Sequence, residues 1–149
     1  MEYRFNEASV ALPSELVDKS LQTFTLADGK QGFNIVISRA DLESGETLQG
    51  LCKRLIEEWE SKLPQFMLVD RQPRTVEGET AEFFDCRWKA NGVIVNQWHV
   101  VALSPRPGGR GPLNGLIITG TCQKNFVQPY TEIYEKFIAS FRWRKEGEL

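Results

Sequence analysis

The sequence predicts an α+β domain built on one curved antiparallel β-sheet, with two helices packed on one face of that sheet. Asn91-Gly92 joins two strand-forming runs, and Asn-Gly in that position is the strongest local signal for a β-hairpin. Two apolar stripes with helical spacing begin near Leu48 and near Pro129. Strand-like runs before, between and after them complete an α+β pattern.

The size and composition are those of one globular domain. The chain has 149 residues, of which 41% are hydrophobic and 26% charged, so we expect a single domain over 1–149 with a flexible tail at 143–149. The net charge of −2 provides no general attraction to nucleic acid. No apolar run approaches the roughly 18–20 residues of a membrane span, and the first residues lack the apolar core of a secretory signal. We therefore expect a cytoplasmic protein.

The first third of the chain is predicted to form three strands. Tyr3–Leu12 is a strand that ends before a proline. Leu21–Leu26 and Phe33–Ala40 form a second hairpin in which Leu26 faces Phe33. The apolar residues on one face of this hairpin are Phe24, Leu26, Phe33, Ile35 and Ile37.

Apolar residues at spacings of three and four predict the two helices. The first stripe consists of Leu48, Leu51, Cys52, Leu55, Trp59 and Leu63. The second consists of Tyr130, Ile133, Tyr134, Phe137, Ile138 and Phe141. Pro64 ends the first helix, and Pro129 can occupy the first turn of the second. Short strand pieces at Phe66–Asp70 and Thr75–Val76 are counted as one strand, and with a last strand at Leu116–Gln123 the order is β-β-β-α-β-β-β-β-α.

The central hairpin pairs Thr80–Ala90 with Val93–Leu103, and its two-residue turn sets the register. Trp88 then faces Val95, Cys86 faces Gln97 and Phe84 faces His99, all on one face. Both faces of the hairpin carry large apolar side chains, whereas a half-exposed antiparallel strand alternates cleanly. We expect the helices to cover one face and a second subunit, a ligand or a protein partner to cover the other.

Prolines and glycines between Ser104 and Gly115 predict an irregular loop. Gly108-Gly109-Arg110-Gly111 resembles a phosphate-binding loop, but no Lys-Ser or Lys-Thr ending follows, and Pro112 stands where that ending belongs. A mobile hairpin loop is the better interpretation.

The sequence contains no evident catalytic or metal-binding constellation. His99 is the one histidine, and three widely spaced cysteines do not form a zinc ribbon or a disulfide framework, so we expect no metal, no cofactor and no catalytic residue. Glu82 shares a face with His99 while Arg87 lies on the other, which leaves an enzymatic site incomplete. Gln97 lies among apolar neighbours, and either the fold or a partner must satisfy its amide, because an unmade hydrogen bond costs about 1–3 kcal/mol.

Short motifs along the whole chain resemble those of the DcrB-like family of small α+β proteins. They are Tyr3-x-x-Asn6-Glu7, Leu12-Pro13, Ile37-Ser38-Arg39, Gly45-Glu46-Thr47-Leu48, Leu63-Pro64, Val95-Asn96-Gln97 and Ser140-Phe141-Arg142. Where the family often has Gly-Trp after Leu-Pro, this chain has Ser14-Glu15-Leu16. Within the family, a free-standing chain of this length looks most like the effector-associated (Eag) chaperones of type VI secretion.

The resemblance implies a cytosolic homodimer, not an enzyme, that shields the N-terminal transmembrane helices of PAAR- or Rhs-type effectors before export. It implies no binding of nucleic acid and no stable insertion into a membrane. Pattern and resemblance together predict a partner-binding groove formed by Phe24, Ile35, Ile37, Trp88, Val95 and Gln97. Apolar side chains interrupted by an amide would imitate the contacts that helices make with each other in a membrane.

Other interpretations remain open at this stage. Phe24, Ile35 and Ile37 could instead form the core beneath the helices, which would leave Val36 and Trp98 on an open face. The protein could also be a small-ligand binder or an enzyme that uses the face of His99 and Glu82, or a structural subunit of a larger assembly.

Overall fold

The structure, a computed structural model, describes residues 2–4, 7–106 and 111–144. Its elements are β1 (Glu2–Arg4), β2 (Ser9–Ala11), β3 (Gln22–Thr25), β4 (Phe33–Ala40), α1 (Leu48–Lys62), β5 (Met67–Val76), β6 (Glu79–Ala90), β7 (Val93–Pro105), β8 (Pro112–Cys122) and α2 (Gln128–Ala139). Within the described residues, β1 and β2 pair separately, and the other strands form one open antiparallel sheet in the order β3-β4-β8-β7-β6-β5. The α+β class and the antiparallel sheet are confirmed.

Both predicted hairpin registers are confirmed. Phe84 faces His99 across β6 and β7, and Phe24 faces Ile35 across β3 and β4. The turn between β6 and β7 has positive φ at both residues, 52° at Asn91 and 78° at Gly92, as a type I′ turn requires. Short-range turn chemistry therefore sets the pairing of the central hairpin.

Three predicted boundaries differ from the observed ones. The predicted strand Tyr3–Leu12 is the short pair β1 and β2, and the two pieces after α1 are the single strand β5. β5 contains Pro73 and a bulge between Leu68 and Asp70, and both are tolerated because β5 lies at a sheet edge. β7 and β8 continue to Pro105 and Pro112, so the loop between them is shorter than predicted.

Two other predictions concern segments that the structure leaves out. The phosphate-loop-like residues 108–110 and tail residues 145–149 lie outside the described residues.

The two helices pack on opposite faces of the sheet, so the prediction that both lie on one face is wrong. Two glycines of β8 show the arrangement. A Cβ atom on Gly115 would lie 2.5 Å from Leu51 Cδ2 of α1, and one on Gly120 would lie 2.7 Å from Tyr134 Cδ1 of α2. Residues an odd number apart on a strand point to opposite faces. The apolar stripes predicted both helices but contain no information on which face each would cover.

The sheet face under α1, called here the α1 face, carries one apolar cluster. Its buried members are Leu51, Cys52, Leu55, Phe84, Cys86, Val101 and Ile117. The helix begins after Thr47, whose Oγ1 accepts a hydrogen bond from the backbone N–H of Gly50 at 3.1 Å. Pro64 disfavours helix at Leu63, where the helix stops. The helix covers this cluster, and part of the α1 face extends beyond the cluster.

The opposite face, the α2 face, carries the larger cluster. Its buried members include Phe33, Ile35, Ile37, Val100, Ile118, Tyr134 and Ile138. The buried hydroxyl of Tyr134 donates a hydrogen bond to the carbonyl of Ile118 at 2.7 Å, which anchors α2 to β8. In the described part of the chain, no helix is long and apolar enough to cross a bilayer.

Candidate functional site

The structure divides the six predicted groove residues between the two sheet faces. Ile35 and Ile37 are 3% and 9% exposed and lie in the core beneath α2. Phe24 shares their face, and its ring centroid lies 5.3 Å from that of Phe137 in α2. Gln97 lies on the α1 face, so the expectation that these three share a face with it is wrong. Ile35 and Ile37 occupy the position that the alternative assigned to them, in the core beneath a helix, whereas Phe24 is 45% exposed and lies outside that core.

Trp88, Val95 and Gln97 lie together on the α1 face, beyond the cluster that α1 covers. Together with neighbouring side chains they form the surface called here the open face: Asn34, Val36, Trp88, Val95, Gln97 and Thr121. All six are partly exposed. Its three large apolar members, Val36, Val95 and Trp88, belong to neither apolar cluster. The open face is therefore a surface of three apolar and three polar side chains, and the described fold does not use its apolar members as core.

A row of hydrogen bonds crosses the open face. Trp88 Nε1 donates to Gln97 Oε1 at 3.0 Å, and Gln97 Nε2 donates to Thr121 Oγ1 at 3.2 Å. The row links β6, β7 and β8. The fold thus supplies two partners to the Gln97 amide. A primary amide has two donor hydrogens and two acceptor sites, so one of each remains for a bound molecule.

His99 lies on the same face but is buried beneath α1. Its ring stacks on Trp59 at a centroid distance of 4.2 Å, and Nδ1 is 2.8 Å from Thr119 Oγ1. Burial lowers the pKa of His99 to about 3, so the ring is neutral at pH 7. Within the described residues, Nε2 has no hydrogen-bond partner. The ring is 4% exposed and packs against Trp59 of α1.

Glu82 and Arg87, the other residues of the enzymatic alternative, do not join His99 in a site. Glu82 accepts a hydrogen bond from Arg71 Nε at 2.8 Å, and Arg71 Nη2 also donates to Gln49 of α1 at 3.0 Å. These contacts tie β5 and β6 to α1. Arg87 is exposed and lies on the opposite face from Glu82.

The described cysteines are separate buried thiols. Burial raises the pKa of Cys52 and Cys122 to about 11 and that of Cys86 to about 12, so all three are protonated at pH 7. No group of three or more His, Cys, Asp or Glu side chains within the described ranges lies close enough to hold a metal ion.

The alternative placed Val36 on an open face, as observed, but it also placed Trp98 there, and Trp98 packs against the cluster of the α2 face. The predicted groove omitted Asn34, Val36 and Thr121. Their proximity to Gln97 depends on the pairing of β4 with β8 and of β8 with β7, which joins strands far apart in the chain. One signal was present, because Val36 is the sole large apolar residue on the less apolar side of the first hairpin.

Comparison with known proteins supports this fold. The chain is similar to PA94, a Pseudomonas aeruginosa protein of unknown function that is suggested to be a regulator. The crystal structure of PA94 aligns with a TM-score of 0.75 at 23% sequence identity, over 97% of this chain and 96% of that one. At this identity the likeness establishes a shared fold. No curated protein sequence matches this chain.

The sequence also matches the DcrB family over residues 7–140, which includes the whole six-stranded sheet and both helices. The resemblance noticed in the short motifs is thereby confirmed at the level of the family. This chain belongs to the DcrB family.

Proposed function

We propose that the open face binds an apolar helix, and that the protein is a cytosolic chaperone for the N-terminal transmembrane helices of type VI secretion effectors before export. One observation carries the proposal. Val36, Val95 and Trp88 are partly exposed apolar side chains on one face outside both cores, and the hydrogen-bond row of Trp88, Gln97 and Thr121 crosses the same face. The class of partner comes from the resemblance of a free-standing DcrB-like chain of this length to the Eag chaperones.

The composition of the open face suits such a helix. A transmembrane helix has about 20 apolar residues and aggregates when it is exposed to water. Helices in a membrane associate through close packing and occasional side-chain hydrogen bonds. Val36 and Val95 would provide packing surface, and the remaining N–H of Gln97 would reach a hydroxyl or backbone carbonyl of the helix.

The size of the open face, compared with the length of a transmembrane helix, supports a homodimer. From β6 to β4 the open face crosses three strand spacings, about 14 Å in all. A helix of 20 residues is about 30 Å long. One copy would therefore contact about half of such a helix, and two copies with their open faces side by side would accommodate its length.

The test is co-expression with a soluble carrier protein that bears one 20-residue apolar helix at its N-terminus. We expect the carrier to stay soluble and to co-purify with this protein. The matched control is the same carrier with alternate helix residues changed to Ser or Gln, which should not co-purify. Equal recovery of both carriers, or aggregation of the apolar one despite co-expression, would contradict the proposal.

A further inference from the structure

We propose that a second site, on the α2 face, binds an acidic peptide segment through three arginines around an apolar pocket. The pocket has a volume of about 410 Å³ and lies where β4, β7, β8 and the segment after α2 meet. Ile37 and Leu116 contribute buried apolar surface to it, and Phe141 and Trp143 contribute aromatic surface. Because the open face lies on the other side of the sheet, this site is independent of the proposed helix binding.

The segment that carries two of these arginines is held in place. Trp143 Nε1 donates to the carbonyl of Val76 at 2.8 Å, and the backbone N–H of Trp143 donates to Glu77 Oε2 at 2.9 Å. Arg142 Nη1 donates to the carbonyls of Ala139 at 3.2 Å and Phe141 at 2.6 Å. Trp143 is thus fixed against the β5–β6 hairpin and Arg142 against the end of α2, and both arginines of the segment adjoin Trp143 in the sequence.

The third arginine comes from the sheet. Arg39 lies at the end of β4, opposite Leu116 of β8, and its guanidinium donates to the side-chain carbonyl of Gln22. Arg39, Arg142 and Arg144 are all exposed.

These arginines lack the carboxylate partners that three other arginines of the chain have. Arg54 pairs with Glu46, Arg71 with Glu82 and Arg74 with Glu135, at 2.7, 2.8 and 2.7 Å respectively. Among the described residues, no carboxylate forms an ion pair with any of the three pocket arginines, and no acidic residue lines the pocket. In a chain with a net charge of −2, this is a local concentration of unpaired positive charge.

The chemistry fits a segment in which acidic and apolar residues alternate. Guanidinium groups bind carboxylates through paired, charge-assisted hydrogen bonds, and the apolar surface of the pocket would receive an intervening side chain. Duplex nucleic acid fits less well, because it requires a broad basic surface and the chain as a whole is acidic.

The test uses fluorescence anisotropy with the labelled peptide Glu-Leu-Glu-Leu-Glu and a matched peptide in which Gln replaces Glu. We expect the acidic peptide to bind at least about tenfold more tightly, and its affinity to fall as ionic strength rises. The variant Arg39→Gln/Arg142→Gln/Arg144→Gln should lose this preference. The control Lys53→Gln/Lys124→Gln/Lys136→Gln makes the same change in charge at exposed positions that do not line the pocket, and should retain it.

Arg142 also caps the end of α2, so the double variant Arg39→Gln/Arg144→Gln, which keeps that cap, tests the site if the triple variant fails to fold. It should also weaken binding of the acidic peptide, while retention of an apolar helix on the open face stays unchanged. Equal affinity for the two peptides, or equal binding by pocket and control variants, would overturn the proposal. Binding of short duplex DNA or anionic vesicles in place of the peptide would overturn it as well.

Discussion

The indole N–H of Trp88 donates a hydrogen bond to the side-chain carbonyl of Gln97 across the β6–β7 pair, over 3.0 Å. Because Gln97 Nε2 in turn donates to Thr121, the amide is held from both sides in one orientation. A held amide can offer its remaining N–H to a partner with little loss of side-chain entropy. This relationship makes Gln97 a fixed polar group on the open face.

We expect Gln97→Ala to weaken binding of an apolar helix by about 1 kcal/mol, or about fivefold, because one hydrogen bond to the helix is lost. Trp88→Phe keeps the aromatic surface but removes the N–H that orients Gln97, and should cause a smaller loss. Affinities for a labelled apolar helix peptide measure both effects. Unchanged affinity in Gln97→Ala would show that Gln97 does not bond to the helix.

The contact between Gly120 and Tyr134 predicts a stability effect. A Cβ at Gly120 would lie 2.7 and 3.0 Å from two ring carbons of Tyr134, whose hydroxyl is anchored to Ile118. Gly120→Ala should therefore destabilise the fold by about 1–3 kcal/mol, since the ring and α2 must move. Gly115→Ala meets the end of the Leu51 side chain and should cost less. Urea denaturation of both variants checks the order, and the reverse order would contradict the account of α2 packing.

Burial of His99 predicts a pH dependence of stability. Its pKa is about 3 in the folded protein and about 6.5 when unfolded. Below pH 6.5 the unfolded chain binds a proton that the folded one does not. His99 therefore contributes a loss of stability of up to about 1.4 kcal/mol per pH unit as the pH falls from 6.5 towards 3. Urea denaturation of the wild type and of His99→Asn at several pH values should show a shallower dependence in the variant. Identical slopes would contradict a buried neutral His99.

His99→Asn also tests the enzymatic alternative. Helix retention at neutral pH should persist in this variant, apart from effects of lowered stability. Selective loss of biological function with unchanged melting temperature and unchanged helix binding would favour an enzyme.

The proposed homodimer predicts a mass in solution of twice the 17.0 kDa chain. The reason is the length of a transmembrane helix relative to one open face, so we expect the dimer at micromolar concentration. Light scattering coupled to size exclusion measures it, with and without the apolar helix. A chain that stays monomeric under both conditions would contradict the side-by-side arrangement.

Local signals predicted much of the fold, and long-range pairing accounts for what they missed. Asn91-Gly92 set the register of the central hairpin, and Pro64 marked the end of α1. The sequence pattern did not reveal that α1 and α2 cover opposite faces, because both faces of the sheet are apolar at their centres. The predicted groove consequently combined Ile35, which lies under α2, with Gln97, which lies on the open face. Placing Val36 near Gln97 required the pairing of β4 with β8 and of β8 with β7.

Ile35 and Val36 are adjacent in β4 and point to opposite faces of the sheet. The same substitution at each position therefore distinguishes a core side chain from one on the open face. Ile35→Asp should unfold the protein, because an unpaired charge in the core costs several kcal/mol. Val36→Asp should leave a folded protein, because its side chain is partly exposed and belongs to neither apolar cluster. Thr75→Asp, at an exposed position of β5, is the control for a charge added elsewhere on the sheet.

The most direct test of the open face is retention of the carrier-borne apolar helix by Val36→Asp and Thr75→Asp, both first shown to be folded by thermal melting. We predict that Thr75→Asp retains the helix as the wild type does and that Val36→Asp loses it. Full retention by a folded Val36→Asp variant would contradict the central claim that this face binds the helix.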